Sequence, residues 1–131
     1  MPSPEQVAEK LVVKMADHAV GDENTVLATL GLGSCIGIAL YDKFSKVGGL
    51  VHIMLPENPG GKKIVKYADT GIPFLIDEME GLGAKKRRLS AKIVGGAGMF
   101  KSENGDSVMK IGERNIEAVK EKLDEIGINI T

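Results

Sequence analysis

The sequence holds one cysteine, two histidines and no tryptophan. One cysteine cannot close a disulfide within the chain, so a reducing compartment is the expected setting. A closed zinc site of Cys and His type needs four such ligands, and only three are present, so no metal is expected. Aromatic residues make up 4% of the chain, which leaves the core to Val, Ile, Leu, Met and Ala. Neither charge sign dominates: 17 Lys and Arg stand against 18 Asp and Glu, for a net charge of −1. That balance provides no broad field for nucleic acid or an anionic membrane. No apolar run reaches the roughly 18 residues needed to span a bilayer. The opening MPSPEQVAEK lacks a basic stretch followed by an apolar one, so no secretory signal is read there.

What is present is ordinary for a globular protein: 131 residues, 43% hydrophobic and 27% charged. Residues 1–131 are expected to form one domain, with residues 1–9 loose around Pro2 and Pro4. Leu11 to Val20 reads as a strand with Val13, Met15 and Ala19 turned inward. Gly21 to Asn24 reads as a turn and Thr25 to Leu30 as a second strand. Cys35 to Tyr41 is an apolar run suited to a strand buried on both faces. Val47 to Leu55 is its hairpin partner, stopped by Pro56. From Asp69 the period becomes helical, with Ile72, Leu75, Ile76 and Met79 on one face and Asp69 as the cap. Gly81 and Gly83 end this helix, and Lys85 to Arg88 read as its solvated end. Leu89 to Val94 is a strand. A second helix is expected from about Gly112 to Glu125, with a short last strand over Ile128 to Ile130. The fold class is therefore α/β (α+β): helices packed on a mostly antiparallel sheet.

Cys35 is the candidate nucleophile. A lone cysteine in an apolar run is commonly just a buried core residue. Against that, it lies where a Gly-rich turn meets a strand. Gly33 and Ser34 before it can offer backbone N–H groups to an oxyanion. His52 lies on the next strand. A hairpin centred on Phe44 sets residue 36 opposite 52, which brings Cys35 near His52, while the register decides whether they share a face. An imidazole would help a thiol that is only a few per cent ionised at neutral pH. Thr29, six residues before Cys35, could hold the other ring nitrogen and fix the tautomer. His52 and Thr29 also have structural readings, as a hydrogen-bonded core imidazole and a plain strand residue.

Thr29-Leu-Gly-Leu-Gly-Ser-Cys35, Tyr41-Asp42 and Gly48-Gly49-Leu-Val-His52-Ile-Met-Leu-Pro56 together resemble the CheD family of chemoreceptor glutamine deamidases. The likeness runs on through Lys66-Tyr67-Ala68-Asp69, Gly95-Gly96-Ala97-Gly-Met99-Phe100 and Ile111-Gly112-Glu113-Arg114-Asn115. The resemblance implies an α/β sandwich whose catalytic layout is like that of papain-type and bacterial-toxin deamidases. It implies catalysis by Cys35, His52 and Thr29, with no cofactor, on Gln side chains of the cytoplasmic helices of chemoreceptors. It also implies a cytoplasmic location and binding to the phosphatase CheC. Met99 and Phe100, which follow a Gly-rich turn, are candidate contacts for such a partner, with burial in the core as the equal alternative. Family chains usually continue further, so the ending at Thr131 raises the expectation of a sheet short of its last strand.

The expected activity is thus that of a protein-glutamine glutaminase, an amidohydrolase acting through a thioester. The alternative is a non-catalytic regulator that binds CheC and receptor helices. Nucleic-acid binding through Lys85 to Arg88 is disfavoured by the neutral charge.

Overall fold

The computed structural model describes residues 9–96 and 106–131, the latter with side chains from Ile111. In chain order the elements are β1 (Glu9–Val13), β2 (Asp17–Gly21), β3 (Thr25–Thr29), β4 (Ile36–Asp42), β5 (Val47–Ile53), α1 (Ala68–Glu80), β6 (Leu89–Gly95), α2 (Asp106–Ile126) and β7 (Asn129–Ile130). Five strands form one sheet in the order β2-β5-β4-β6-β7, and β1 and β3 form a separate parallel pair. Within the larger sheet only β6 and β7 run parallel. The helices cover one face of this sheet. A side chain at Gly49 would strike Leu75 and Met79 of α1, which fixes that face. On the opposite face, a side chain at Gly37 would touch Thr29 at the end of β3. The result is a layer of helices, a central sheet and a small covering sheet.

The core lies between helices and sheet. Ile36, Ile38, Leu40, Val51 and Ile53 meet Ile72, Leu75 and Met79 of α1 and Val119 and Leu123 of α2. Each is essentially buried, and burial of such a side chain is worth about 1.5–3 kcal/mol. The expected apolar stripe of α1 is the one that packs.

Several expectations need correction. Leu11 to Val20 is two strands in different sheets, because Ala16 takes a left-handed φ of 55° and turns the chain between them. Met15 consequently sits in the turn, 59% exposed, while Val13 alone is deeply buried. β4 is not covered on both faces along its length, since Ala39 and Tyr41 reach solvent where the small sheet does not extend. Asp69 does not cap α1: Tyr67 holds the N-cap position without a side-chain bond. Asp69 Oδ1 instead accepts from the Asn58 amide at 2.9 Å and anchors the preceding loop. α2 begins at Asp106, because Gly112 is accommodated inside the helix instead of starting it. The short last strand is present as β7, paired with Ser90 and Ala91 only.

The basic run after α1 is also more than a solvated end. Arg88 pairs with Asp42, and the Lys85 amide donates to the same carboxylate at 2.9 Å.

Candidate active site

The β4–β5 register decides the geometry. Gly37 pairs with His52 and Ile36 with Ile53, one residue away from the expected pairing. A one-residue shift moves every side chain to the other face. The expected register would have set Cys35 and His52 on opposite faces. The observed one gives Cys35 the parity of Gly37, which directly faces His52. Gly37 and His52 fall on the side that the small sheet covers, and Cys35 lies just before the start of β4.

β3 brings Thr29 over this spot. The cover is close, since a side chain at Gly37 would meet Thr29, Leu32 and Val94 at 3.4 Å each. Thr29 Oγ1 lies 3.0 Å from His52 Nδ1 and 2.6 Å from the Val13 carbonyl oxygen. A hydroxyl has one proton to donate. The carbonyl can only accept, so the proton goes to Val13, and Thr29 Oγ1 accepts from Nδ1–H. This fixes the neutral imidazole with its proton on Nδ1 and its lone pair on Nε2. Nε2 is buried and has no partner among the described residues. His52 as a whole is fully buried, and burial pushes its pKa below the ordinary histidine value. It is therefore a neutral base with an unused lone pair.

Cys35 follows a tight turn. Gly33 holds a φ of 51°, the left-handed region that suits glycine. The Cys35 amide donates to the Leu32 carbonyl at 2.7 Å, and its carbonyl accepts from the Gly96 amide at 2.8 Å. Gly95, at φ 100°, must be glycine, because any side chain there would collide with the Cys35 carbonyl oxygen. The residue is thus fixed at both backbone groups. Cys35 is 9% exposed, and burial pushes the thiol pKa up. Cys35 is thus disposed as a thiol and His52 as a neutral imidazole, and no hydrogen bond joins Cys35 Sγ to His52 Nε2.

The expected oxyanion donors are the amides of Gly33 and Ser34. The Cys35 N–H is already engaged with Leu32. The amides of Gly33 and Ser34 have no acceptor among the described residues and remain available. Met99 and Phe100 lie outside the described residues.

One polar residue at the site carries no chemical role in the sequence reading. Asn115 of α2 is fully buried. Its Nδ2 donates to the Ser34 carbonyl and to the Met54 carbonyl, each at 2.9 Å. Its Oδ1 is buried without a partner among the described residues, and an unmet buried acceptor costs about 1–3 kcal/mol. The signal was available: Asn115 stands four and eight residues before Val119 and Leu123 on the buried stripe of α2, where an amide is out of place.

A thiol, a tautomer-fixed imidazole and free amides at a tight turn are the parts needed for acyl transfer through a covalent intermediate. Comparison with known proteins gives the family. Residues 54–131 match the family model described as CheD chemotactic sensory transduction. Two relatives named "Probable chemoreceptor glutamine deamidase CheD" come from Clostridium botulinum (strain Hall) and Caldanaerobacter subterraneus subsp. tengcongensis. Each is 50% identical over 123 residues, covering 92% of this chain and 76% of the relative. The chain belongs to the CheD family.

Proposed function

We propose that this protein is a chemoreceptor glutamine deamidase in which Cys35 is the nucleophile, His52 the base and Thr29 the residue that orients it. The observation that carries the assignment is the bond from His52 Nδ1–H to Thr29, which leaves Nε2 as a buried lone pair with no partner among the described residues. The substrates are Gln side chains on the cytoplasmic helices of chemoreceptors. The protein acts in the cytoplasm, in chemotaxis, as one domain.

In the first step Cys35 Sγ attacks the side-chain carbonyl carbon of Gln while its proton passes to His52 Nε2. The Gly33 and Ser34 amides hold the developing oxyanion. His52 then gives the proton to the departing nitrogen, ammonia leaves, and a thioester remains. Water attacks the thioester as His52 takes one of its protons. Collapse of that intermediate returns the thiol and leaves Glu. Burial disfavours the charged form of each group, so proton transfer from Sγ to Nε2 is coupled to the attack.

The test incubates receptor helical fragments with wild-type protein and with Cys35→Ala and reads Gln by mass spectrometry. Wild type gives a one-dalton gain at particular Gln residues, and Cys35→Ala gives none. Deamidation by Cys35→Ala would refute the mechanism.

The burial of Cys35 and its raised pKa favour a second reading, a binding protein that docks on CheC and receptor helices without chemistry. Met99 and Phe100 are the proposed contacts for CheC. In that case iodoacetamide labels native Cys35 no faster than a core thiol, and capture of CheC survives Cys35→Ala but not Met99→Ala with Phe100→Ala.

A further inference from the structure

β4 and β5 stop pairing at Ile36 and Ile53. The next residues would be Cys35 and Met54, and here the two strands part. Asn115 replaces the missing ladder. Its two Nδ2 protons go to the carbonyl just before Cys35 and to the carbonyl two residues after His52. Both acceptors are carbonyls, so the orientation of the amide is dictated, and Oδ1 is left without a donor among the described residues. A residue selected only for packing on this stripe would be apolar, like Val119 and Leu123. Asn115 gives up one of its own hydrogen bonds to hold these two backbones.

We propose that Asn115 is a positioning residue for deamidation: it ties the Cys35 turn to the His52 strand where the sheet itself no longer does, and so sets the nucleophile against the base. The inference rests on the assignment of Cys35 and His52 given above. Asn115 does not touch the reacting atoms, and substrate binding does not depend on it. Misplacement of a nucleophile by about 1 Å costs on the order of 10²-fold in rate, so the loss belongs in kcat.

The experiment compares wild type, Asn115→Ala and Asn115→Leu, the last filling the same space. It measures kcat and KM on a Gln-containing receptor fragment, the rate of Cys35 alkylation by iodoacetamide, and folding by circular dichroism. The expected result is a folded variant with kcat down on the order of 10²-fold, KM within about threefold, and faster alkylation as the turn loosens. Simple loss of stability would also expose the thiol, so the folded fraction from circular dichroism at the assay temperature must match wild type for the result to count. A folded variant with kcat within about threefold of wild type overturns the proposal, as does a loss of kcat without faster alkylation. Failure of both variants to fold also overturns it and makes Asn115 a core residue only. Activity that survives Cys35→Ala in the same assay would instead defeat the underlying assignment.

Discussion

The two ends of the β4–β5 hairpin treat buried polar groups in opposite ways. At the turn end, Asp42 is fully buried and its carboxylate is saturated. It accepts from the amides of Phe44, Ser45 and Lys85 and pairs with the Arg88 guanidinium at 2.9 Å. Arg88 in turn lies 4.7 Å over the Phe44 ring. The guanidinium holds the Asp42 carboxyl well below the usual carboxylate range, against the opposing effect of burial. At the other end, His52 Nε2 and Asn115 Oδ1 are buried with no partner among the described residues. The third such atom, Ser45 Oγ, belongs to the turn end, where a hydroxyl can rotate toward neighbouring acceptors. A saturated cluster stabilises and does nothing else. An imidazole lone pair left without a donor costs stability and is free to take a proton, which is the mark of a functional end.

The largest test of this contrast is removal of the proposed reacting groups. Cys35→Ala is expected to lower deamidation by at least about 10³-fold, read by mass spectrometry, while the melting temperature stays near wild type. His52→Gln follows with a loss of about 10²–10⁴-fold. Thr29→Val removes the acceptor for Nδ1–H and lowers kcat about tenfold or more, and Thr29→Ser restores it. The opposite pattern belongs to the turn end. Arg88→Met strands a buried carboxylate and is expected to cost on the order of 3 kcal/mol in urea unfolding, with unchanged kcat in the folded fraction. If Arg88→Met impairs catalysis in folded protein, the two ends are not separable.

Acidity gives the finest discrimination. The folded His52 pKa lies below its ordinary 6.5, so below that pH the unfolded chain binds more protons than the folded one. Stability contributed at the site end is full above about pH 6.5 and declines as pH falls past it. Asp42 also has a depressed pKa, so its contribution is full above the ordinary 3.8 and declines only below it. The Cys35 pKa is raised, so the unfolded chain loses its thiol proton first, and stability declines as pH rises past the ordinary 9.0. Urea titrations across pH 3 to 10 check this. His52→Gln is expected to flatten the decline near pH 6 and leave the one below pH 4 in place.

The elements were legible in the sequence where periodicity was long and unbroken. The stripe of α1 and the β4–β5 hairpin could be read there, while Cys35, His52 and Thr29 were offered as candidates by the resemblance to a family. Three things could not. The break of Leu11 to Val20 into strands of two different sheets hinges on one left-handed residue, Ala16, which local composition does not mark. The pairing of Arg88 with Asp42 joins residues 46 apart, and no local pattern carries it. Asn115 meets Ser34 and Met54 only once α2 has packed on the sheet.

The sequence by itself determined the chemistry on offer: one thiol, one imidazole and one hydroxyl in a spacing shared with a family, on a chain with a core of aliphatic residues. Tertiary structure decided whether they could act together. The register that places His52 opposite Gly37, not Ile36, follows from packing Val51 and Ile53 against α1 and sets which residues share the covered face. The tautomer that frees Nε2 follows from the Val13 carbonyl, which β1 supplies through its parallel pairing with β3. Side-chain identity is local information. Face, register and proton position depend on contacts between distant segments, and those exist only in the folded chain.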